Sequence, residues 1–120
     1  MSCDVARFTV TKGLDNTFVF TIKADGSTLP MEIEAGDTFE SQLVSLSTDA
    51  VVLTKTLTVA NALSGKVNLL ITSSDTSSLS SDKGSKTDRY YLRPVYKLLI
   101  ACSTTNNGNF IARVPEVYVD

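Results

Sequence analysis

The sequence predicts an all-β protein, an antiparallel β-sandwich of about seven strands with one short helix near residues 74–80. Apolar and polar residues alternate with a period of two in segments 16–23, 51–59 and 65–72, which is typical of strands with one buried face. Turn sequences rich in Asn, Asp, Gly and Ser separate such segments, and 106–109 is the strongest hairpin signal, because Asn and Gly both accept positive φ. A small Greek-key barrel is the alternative architecture.

The first two strands are expected at 6–12 and 16–23. A turn sequence at 24–27 follows them. Pro30 makes segment 29–33 an edge segment at best, since proline cannot donate a hydrogen bond to a neighbouring strand.

The next three strands are expected at 37–47, 50–59 and 65–72. A turn sequence at 35–37 comes before the first of them, and residues 47–50 can close a hairpin between the first and the second. The alternation of apolar and polar residues in 50–59 and 65–72 predicts one buried and one wet face for each strand.

A serine-rich segment follows the fifth strand and departs from the strand pattern. Residues 73–79 begin with good N-cap residues and carry Asp75 in the first turn, which predicts one or two helical turns. Leu79 is expected to fix this helix to the core. The polar segment 80–88 after it is expected to be a mobile loop.

The last two strands are expected at 89–102 and 109–119, where Pro94 and Pro115 indicate edges or bulges. The residues expected in the core are Phe18, Phe20, Phe39, Leu57, Leu69, Ile71 and Leu98.

Composition limits the classes of function. The chain has 120 residues with 42% hydrophobic and 20% charged, which is ordinary for one globular domain spanning 1–120. The net charge of -2 and the lack of a block of like charges argue against nucleic acid as a partner. No apolar run approaches the roughly 18 residues of a spanning helix, so we expect no membrane partner. The lack of histidine excludes Ser-His-Asp and Cys-His catalysis.

Candidate chemical sites are weak. Asp82 and Asp88 flank a loop that could bind calcium, but two lysines lie between them, so a solvated loop is favoured. Four acids could in principle supply a glycosidase pair, but nothing in the sequence brings any two of them together. They are Glu32, Glu34, Glu40 and Glu116. We therefore expect no catalytic residues, no cofactor and no metal, and we expect that the protein is not an enzyme.

The two cysteines are expected to be reduced thiols in a protein made in the cytosol. Cys102 ends an apolar run and is expected to be a small core residue. A bridge between Cys3 and Cys102 is the minor alternative.

Tyrosine and arginine gather near the last two strands: Tyr90, Tyr91, Tyr96, Tyr118, Arg89, Arg93 and Arg113. Both residue types are enriched at protein–protein interfaces. Half-buried tyrosines beside arginines with packed stems are the default interpretation, and an interface is the alternative to it. The interface candidates are Tyr91, Arg93 and Arg113, and alternation along one strand would place Tyr91 and Arg93 on the same face.

A series of short segments carries a family resemblance over residues 15–119. The segments are Asp37-Thr38-Phe39, Gly65-Lys66-Val67-Asn68-Leu69-Leu70-Ile71-Thr72, Ser74-Asp75-Thr76-Ser77-Ser78-Leu79, Arg89-Tyr90-Tyr91-Leu92, Tyr96-Lys97, Asn107-Gly108-Asn109-Phe110 and Val117-Tyr118-Val119. In this layout the chain resembles small Ig-like β-sandwich modules of tailed bacteriophages, in particular the N-terminal domain of baseplate upper proteins. "Ig-like" refers to architecture, since the chain has no tryptophan and no cysteine pair at antibody-like spacing.

The resemblance implies a structural or adaptor protein of a phage virion, located in the tail, baseplate or collar. Other virion proteins would be its partners, with multiple copies in the particle, and it would be made in the host cytoplasm. A capsid (head) decoration protein and a carbohydrate-binding sandwich at a tail tip are the alternatives. The charge-poor 50–59 stretch is a suitable edge for strand addition by a partner.

Overall fold

The structure, a computed structural model, describes residues 2–3, 5–23, 29–80, 83–85 and 90–120, with the backbone alone for 2–3, 83–85 and 90–92. The strands in chain order are β1 (Ser2–Cys3), β2 (Arg7–Val10), β3 (Asn16–Lys23), β4 (Thr38–Ser45), β5 (Val51–Thr56), β6 (Thr58–Asn61), β7 (Lys66–Ile71), β8 (Lys83–Ser85), β9 (Tyr90–Leu92), β10 (Tyr96–Thr104) and β11 (Gly108–Val119). One short 3-10 helix spans Asp75–Ser78.

The strands form two main sheets, as the sequence predicted for a β-sandwich. One sheet has the order β1-β3-β7-β6, the other has the order β2-β11-β10-β4-β5, and β8 and β9 form a separate two-stranded ribbon. Neighbouring strands are antiparallel except for β2 and β11, the one parallel pair in the described part of the chain. In the described ranges the 3-10 helix is the only helical element. No helix in these ranges is long and apolar enough to span a membrane.

Two segments that are continuous in the sequence divide between the two sheets, and these divisions give the sandwich its Ig-like order. The N-terminal segment pairs first with β3 through β1 and then with β11 through β2. The predicted strand 50–59 also divides, because β5 and β6 lie in different sheets on either side of the buried Leu57. The resulting sheets correspond to the ABED and GFC sheets of an Ig sandwich, with β2 and β5 as added strands at the two edges of the second sheet.

The core lies between the two sheets, and six of the seven residues expected there are buried. Phe18, the exception, is half-buried and packs against the core, with its ring centroid 4.3 Å from that of Phe8. Phe20 lies 5.6 Å from Phe8 by the same measure. Alternation along β3 therefore turns an aromatic cluster inward, as the period of two predicts.

The helix predicted near 74–80 is a single 3-10 turn because local side chains satisfy its backbone. Thr72 and Asp75 exchange hydrogen bonds: the Thr72 N–H donates to Asp75 Oδ2 at 3.0 Å, and the Asp75 N–H donates to Thr72 Oγ1 at 3.2 Å. The hydroxyls of Ser77 and Ser78 donate to carbonyl oxygens three residues earlier. Such bonds compete with a longer helix. Leu79 is buried directly after the turn, as expected.

A tyrosine anchors the segment that leaves this turn. The hydroxyl of Tyr96, at the start of β10, accepts a hydrogen bond of 2.9 Å from the Ser80 N–H. Tyr96 is itself buried. Ig-like sandwiches have a tyrosine near the start of the corresponding strand whose hydroxyl bonds backbone a few residues upstream. In this chain the backbone partner lies 16 residues upstream, before the β8–β9 ribbon.

The predicted strand 89–102 is wrong as a single element. It divides into β9 and β10, with Pro94 in the gap between them. β9 pairs with β8, so part of the expected loop 80–88 is a strand, while its residues 81–82 and 86–88 lie outside the described residues. Pro115 lies where the β10–β11 register shifts, as a bulge proline should.

Asp75 also holds Lys55, with 2.8 Å between Asp75 Oδ2 and Lys55 Nζ. The hydrogen bond from Lys55, followed by that from the Thr72 N–H, holds the pKa of Asp75 below its ordinary value of 3.8. We expect Asp75→Asn to lower the free energy of unfolding by about 1–2 kcal/mol at pH 7, since hydrogen bonds to a charged group are lost. Urea denaturation measures this change.

The pH dependence of stability tests the same interaction. Because the pKa of Asp75 is lower in the folded state than in the unfolded state, the carboxylate stabilises the folded state at pH values above the unfolded-state pKa. This stabilisation is lost as the pH falls through the folded-state pKa. The difference between wild type and Asp75→Asn should therefore shrink below about pH 3.8. A difference that stays the same at pH 7 and pH 3 would contradict the assignment.

Candidate interaction face

The outward side chains of the three central strands of the five-stranded sheet form a continuous surface, which we call the β4–β10–β11 face. Its residues are Thr38, Glu40, Gln42, Lys97, Leu99, Ala101, Ser103, Asn109, Ile111 and Arg113. Each alternates with a buried residue of the same strand, except Asn109, which precedes the half-buried Phe110. The period of two that builds the core therefore also builds this face.

The strand register arranges the face in rows across the sheet. One row is Glu40, Ala101 and Ile111, and the next is Gln42, Leu99 and Arg113. Residues in one row lie about 5 Å apart, within contact distance of side chains. Leu99, Ala101 and Ile111 thus form one apolar centre, with polar and charged side chains around it.

The centre of the face is shallow and open. A depression of about 470 Å³ lies over Ala101, between Glu40 and Ile111. A smaller one of about 280 Å³ lies beside Leu99 and Arg113. The larger depression follows from size, because the small Ala101 stands between larger neighbours. Such a surface can accept a projecting side chain of a partner.

Charge is distributed unevenly over the face. Glu40 lies on β4 in one row, and Arg113 lies on β11 in the next row, on the opposite side of β10. Lys97 is the outward residue of β10 next to Leu99, so it lies at the same end of the face as Arg113. Its Nζ forms an ion pair of 3.1 Å with Asp49 Oδ1 at the rim. The face therefore has an acidic corner and a basic corner across its apolar centre.

A carboxylate fixes one end of the face. Asp37 accepts hydrogen bonds of 2.9 Å from the Glu34 N–H and from the Thr105 N–H. Partial burial would by itself raise the pKa of Asp37, but these hydrogen bonds outweigh it and hold the pKa below its ordinary value. The segment before β4 is therefore tied to the hairpin between β10 and β11, which limits relative movement of the strands that carry the face.

The structure places the three candidate residues from the sequence differently. Arg113 lies in the β4–β10–β11 face. Arg93 is exposed in the connection between β9 and β10, so the single strand that would have put it on one face with Tyr91 does not exist. The side chain of Tyr91 lies outside the described residues. The apolar centre was missed by the sequence reasoning, although the unbroken apolar run 98–102 is a signal that both faces of β10 carry apolar residues.

The other chemical candidates gain no support. Within the described ranges there is no group of three or more Cys, Asp or Glu side chains that could hold a metal ion. Asp82 and Asp88 lie outside the described residues. Cys102 is buried among core side chains, as expected for a small core residue, and the side chain of Cys3 lies outside the described residues.

Comparisons with known proteins found no matching family model and no matching curated protein. The function proposed below rests on the face and on the resemblance of the segments quoted above.

Proposed function

We propose that this chain is a structural or adaptor protein of a tailed-bacteriophage virion, and that it works through protein–protein contacts made by the β4–β10–β11 face. The observation that carries the proposal is the pattern of this face. Leu99, Ala101 and Ile111 form an apolar centre, and charged and polar side chains surround it. A desolvated apolar centre within a polar rim is the usual anatomy of a protein interface.

The composition of the face also suits binding. Ile111 is 47% exposed, and it lies beside the depression over Ala101. Arg113 contributes a side chain of a type enriched in energetically important contacts. A partner covering this face would remove the aliphatic surface from water at a gain of roughly 25 cal/mol per Å².

The virion part of the proposal is supported by the resemblance of segments 37–39, 65–72, 74–79, 89–92, 96–97, 107–110 and 117–119 to phage modules. The Ig-like sandwich is the fold that this resemblance implies, and the sheet order agrees with it. Other virion proteins are the proposed partners, and the proposal includes no contact with nucleic acid or a membrane. The tail, baseplate or collar is the proposed location, and head decoration is the alternative.

The test compares two glutamate substitutions on opposite faces of the sandwich. Ile111→Glu places a charge in the apolar centre of the face, whereas Leu70→Glu makes the same kind of change on the other sheet. The two residues are matched in exposure, at 47% and 46%. We expect Ile111→Glu to abolish incorporation into phage particles and Leu70→Glu to leave it within about twofold of wild type, because surface changes outside an interface are mild.

Incorporation is measured by mass spectrometry of purified particles, and thermal melts of the isolated proteins check that both variants fold. Electron cryomicroscopy of the wild-type particle then shows whether the protein is in the tail or on the head. The proposal is lost if the wild-type protein is absent from purified particles. Normal incorporation of the Ile111→Glu variant would show that the β4–β10–β11 face does not make the contacts with other virion proteins.

A further inference from the structure

We infer that the β4–β10–β11 face binds a second copy of this chain, forming a two-fold symmetric dimer in which Glu40 of each copy meets Arg113 of the other. This inference deepens the proposed function, since it names the partner of the same face. It starts from the positions of the two charges. Glu40 and Arg113 lie on opposite sides of β10 and in adjacent rows, so they occupy opposite corners of the apolar centre.

This arrangement is self-complementary. In a two-fold dimer the same patch is used by both copies, so that a contact between residue i and residue j occurs twice. An axis in the plane of the interface, perpendicular to the line from Glu40 to Arg113, brings each acidic corner onto the basic corner of the other copy. Two Glu40–Arg113 pairs then form at once, and the strands of the two copies cross at a large angle, as in orthogonal sheet packing.

The apolar centre fits the same axis. The axis passes between Leu99 and Ala101, which are consecutive outward residues of β10. The depression over Ala101 can then receive an aliphatic side chain from the centre of the other copy. The charge pairs fix orientation, and the buried aliphatic surface supplies the main gain in free energy.

The area of the face predicts a weak dimer. Three neighbouring strands about 4.8 Å apart, with about 3.3 Å for each residue along the eight residues of β4, give on the order of 400 Å² per copy. Two copies then bury on the order of 800 Å², which is below the range of stable specific interfaces and in the range of weak, transient contacts. The dimer should therefore dissociate on dilution.

The test is a charge exchange in the full chain. Sedimentation velocity, from about 1 μM to 1 mM, measures the dimer dissociation constant of wild type, Glu40→Arg, Arg113→Glu and the double variant. We expect each single reversal to weaken association at least about tenfold, since like charges then face each other. The double variant should return to within about threefold of wild type, because the pairs are restored with reversed sign.

Lys66→Glu is the control, since Lys66 is an exposed cation on the other sheet, and it should leave the dimer unchanged. A wild-type protein that stays monomeric at all concentrations overturns the inference, as does a dimer that neither single reversal weakens or that the double variant fails to restore. None of these results bears on incorporation into particles. A monomer whose Ile111→Glu variant still fails to incorporate would show that another virion protein covers the face.

Discussion

Replacing Phe20 with alanine is expected to lower the free energy of unfolding by about 3–5 kcal/mol, through lost transfer energy and a residual cavity. Phe20 is 1% exposed in the middle of β3. Its ring lies 5.6 Å from that of Phe8 and 6.5 Å from that of Phe18. The truncation therefore removes contacts between strands β2 and β3, which belong to different sheets, and weakens the packing that holds the sandwich together.

Val19→Ala is the matched control for this prediction. Val19 is the preceding residue of the same strand, and it is 49% exposed on the outer face of its sheet. Its truncation should cost less than about 1 kcal/mol, the range typical of surface sites. Guanidinium denaturation followed by circular dichroism measures both changes. Equal losses for the two variants would mean that β3 does not face the core as described.

The predicted strands that match the structure are those that can be recognised from the pattern of their own residues. Segment 16–23 alternates except at Val19, which is apolar but 49% exposed, and β3 has the same bounds. Segments 65–72 and 109–119 match β7 and β11 to within one residue at each end. Periodicity reports one buried face directly, so it locates such strands without knowledge of their partners.

The predicted strands that were wrong are those whose bounds depend on which sheet each part of the chain joins. Segment 50–59 continues its alternation through Leu57, yet β5 and β6 lie in different sheets. Leu57 is buried and donates its N–H to the Phe39 carbonyl, a tertiary contact that no local pattern encodes. Segment 89–102 fails in the same way, because the pairing of β9 with β8 competes with continuation into β10.

The interaction face was only partly predictable for a related reason. Residue type alone indicated Arg113, because arginine is enriched at interfaces. Leu99 and Ile111 gave no such signal, since an aliphatic residue in a strand is more often a core residue. Only the register, which places Leu99 beside Arg113 and Ala101 beside Ile111, shows that the outward aliphatic side chains form one patch. Register is set by pairing, which the sequence does not state.

Replacing Gly65 with alanine is expected to cost about 2–5 kcal/mol, from two separate sources. Gly65 has a φ of 69°, in the left-handed region, where a Cβ costs about 1–2 kcal/mol. That Cβ would also overlap the Met31 carbonyl oxygen and lie 2.9 Å from the Ile22 carbonyl oxygen. Both neighbours are backbone atoms, so a side-chain rotation cannot relieve the overlap, and forced shifts of this kind cost about 1–3 kcal/mol.

The shift would break a junction of three segments. The Gly65 carbonyl accepts from the Ile22 N–H at 2.9 Å, and the Ile22 carbonyl accepts from the Met31 N–H at 2.8 Å. These bonds hold the turn before β7, the end of β3 and the segment after Pro30 together. Moving any one of them away strains the hydrogen bonds of the other two, and Met31 is a buried core residue.

Gly13→Ala separates the two sources of this cost. Gly13 also has a positive φ, at 83°, but a Cβ there meets nothing within 4 Å. Gly13→Ala should lower the free energy of unfolding only by the backbone cost of about 1–2 kcal/mol. The difference in free energy of unfolding between the two variants therefore measures the cost of the atomic overlap at Gly65. Because a domain of this size has about 5–15 kcal/mol of stability, Gly65→Ala should shift the denaturation midpoint far more than Gly13→Ala. Equal midpoints for the two variants would show that the three segments do not meet at Gly65.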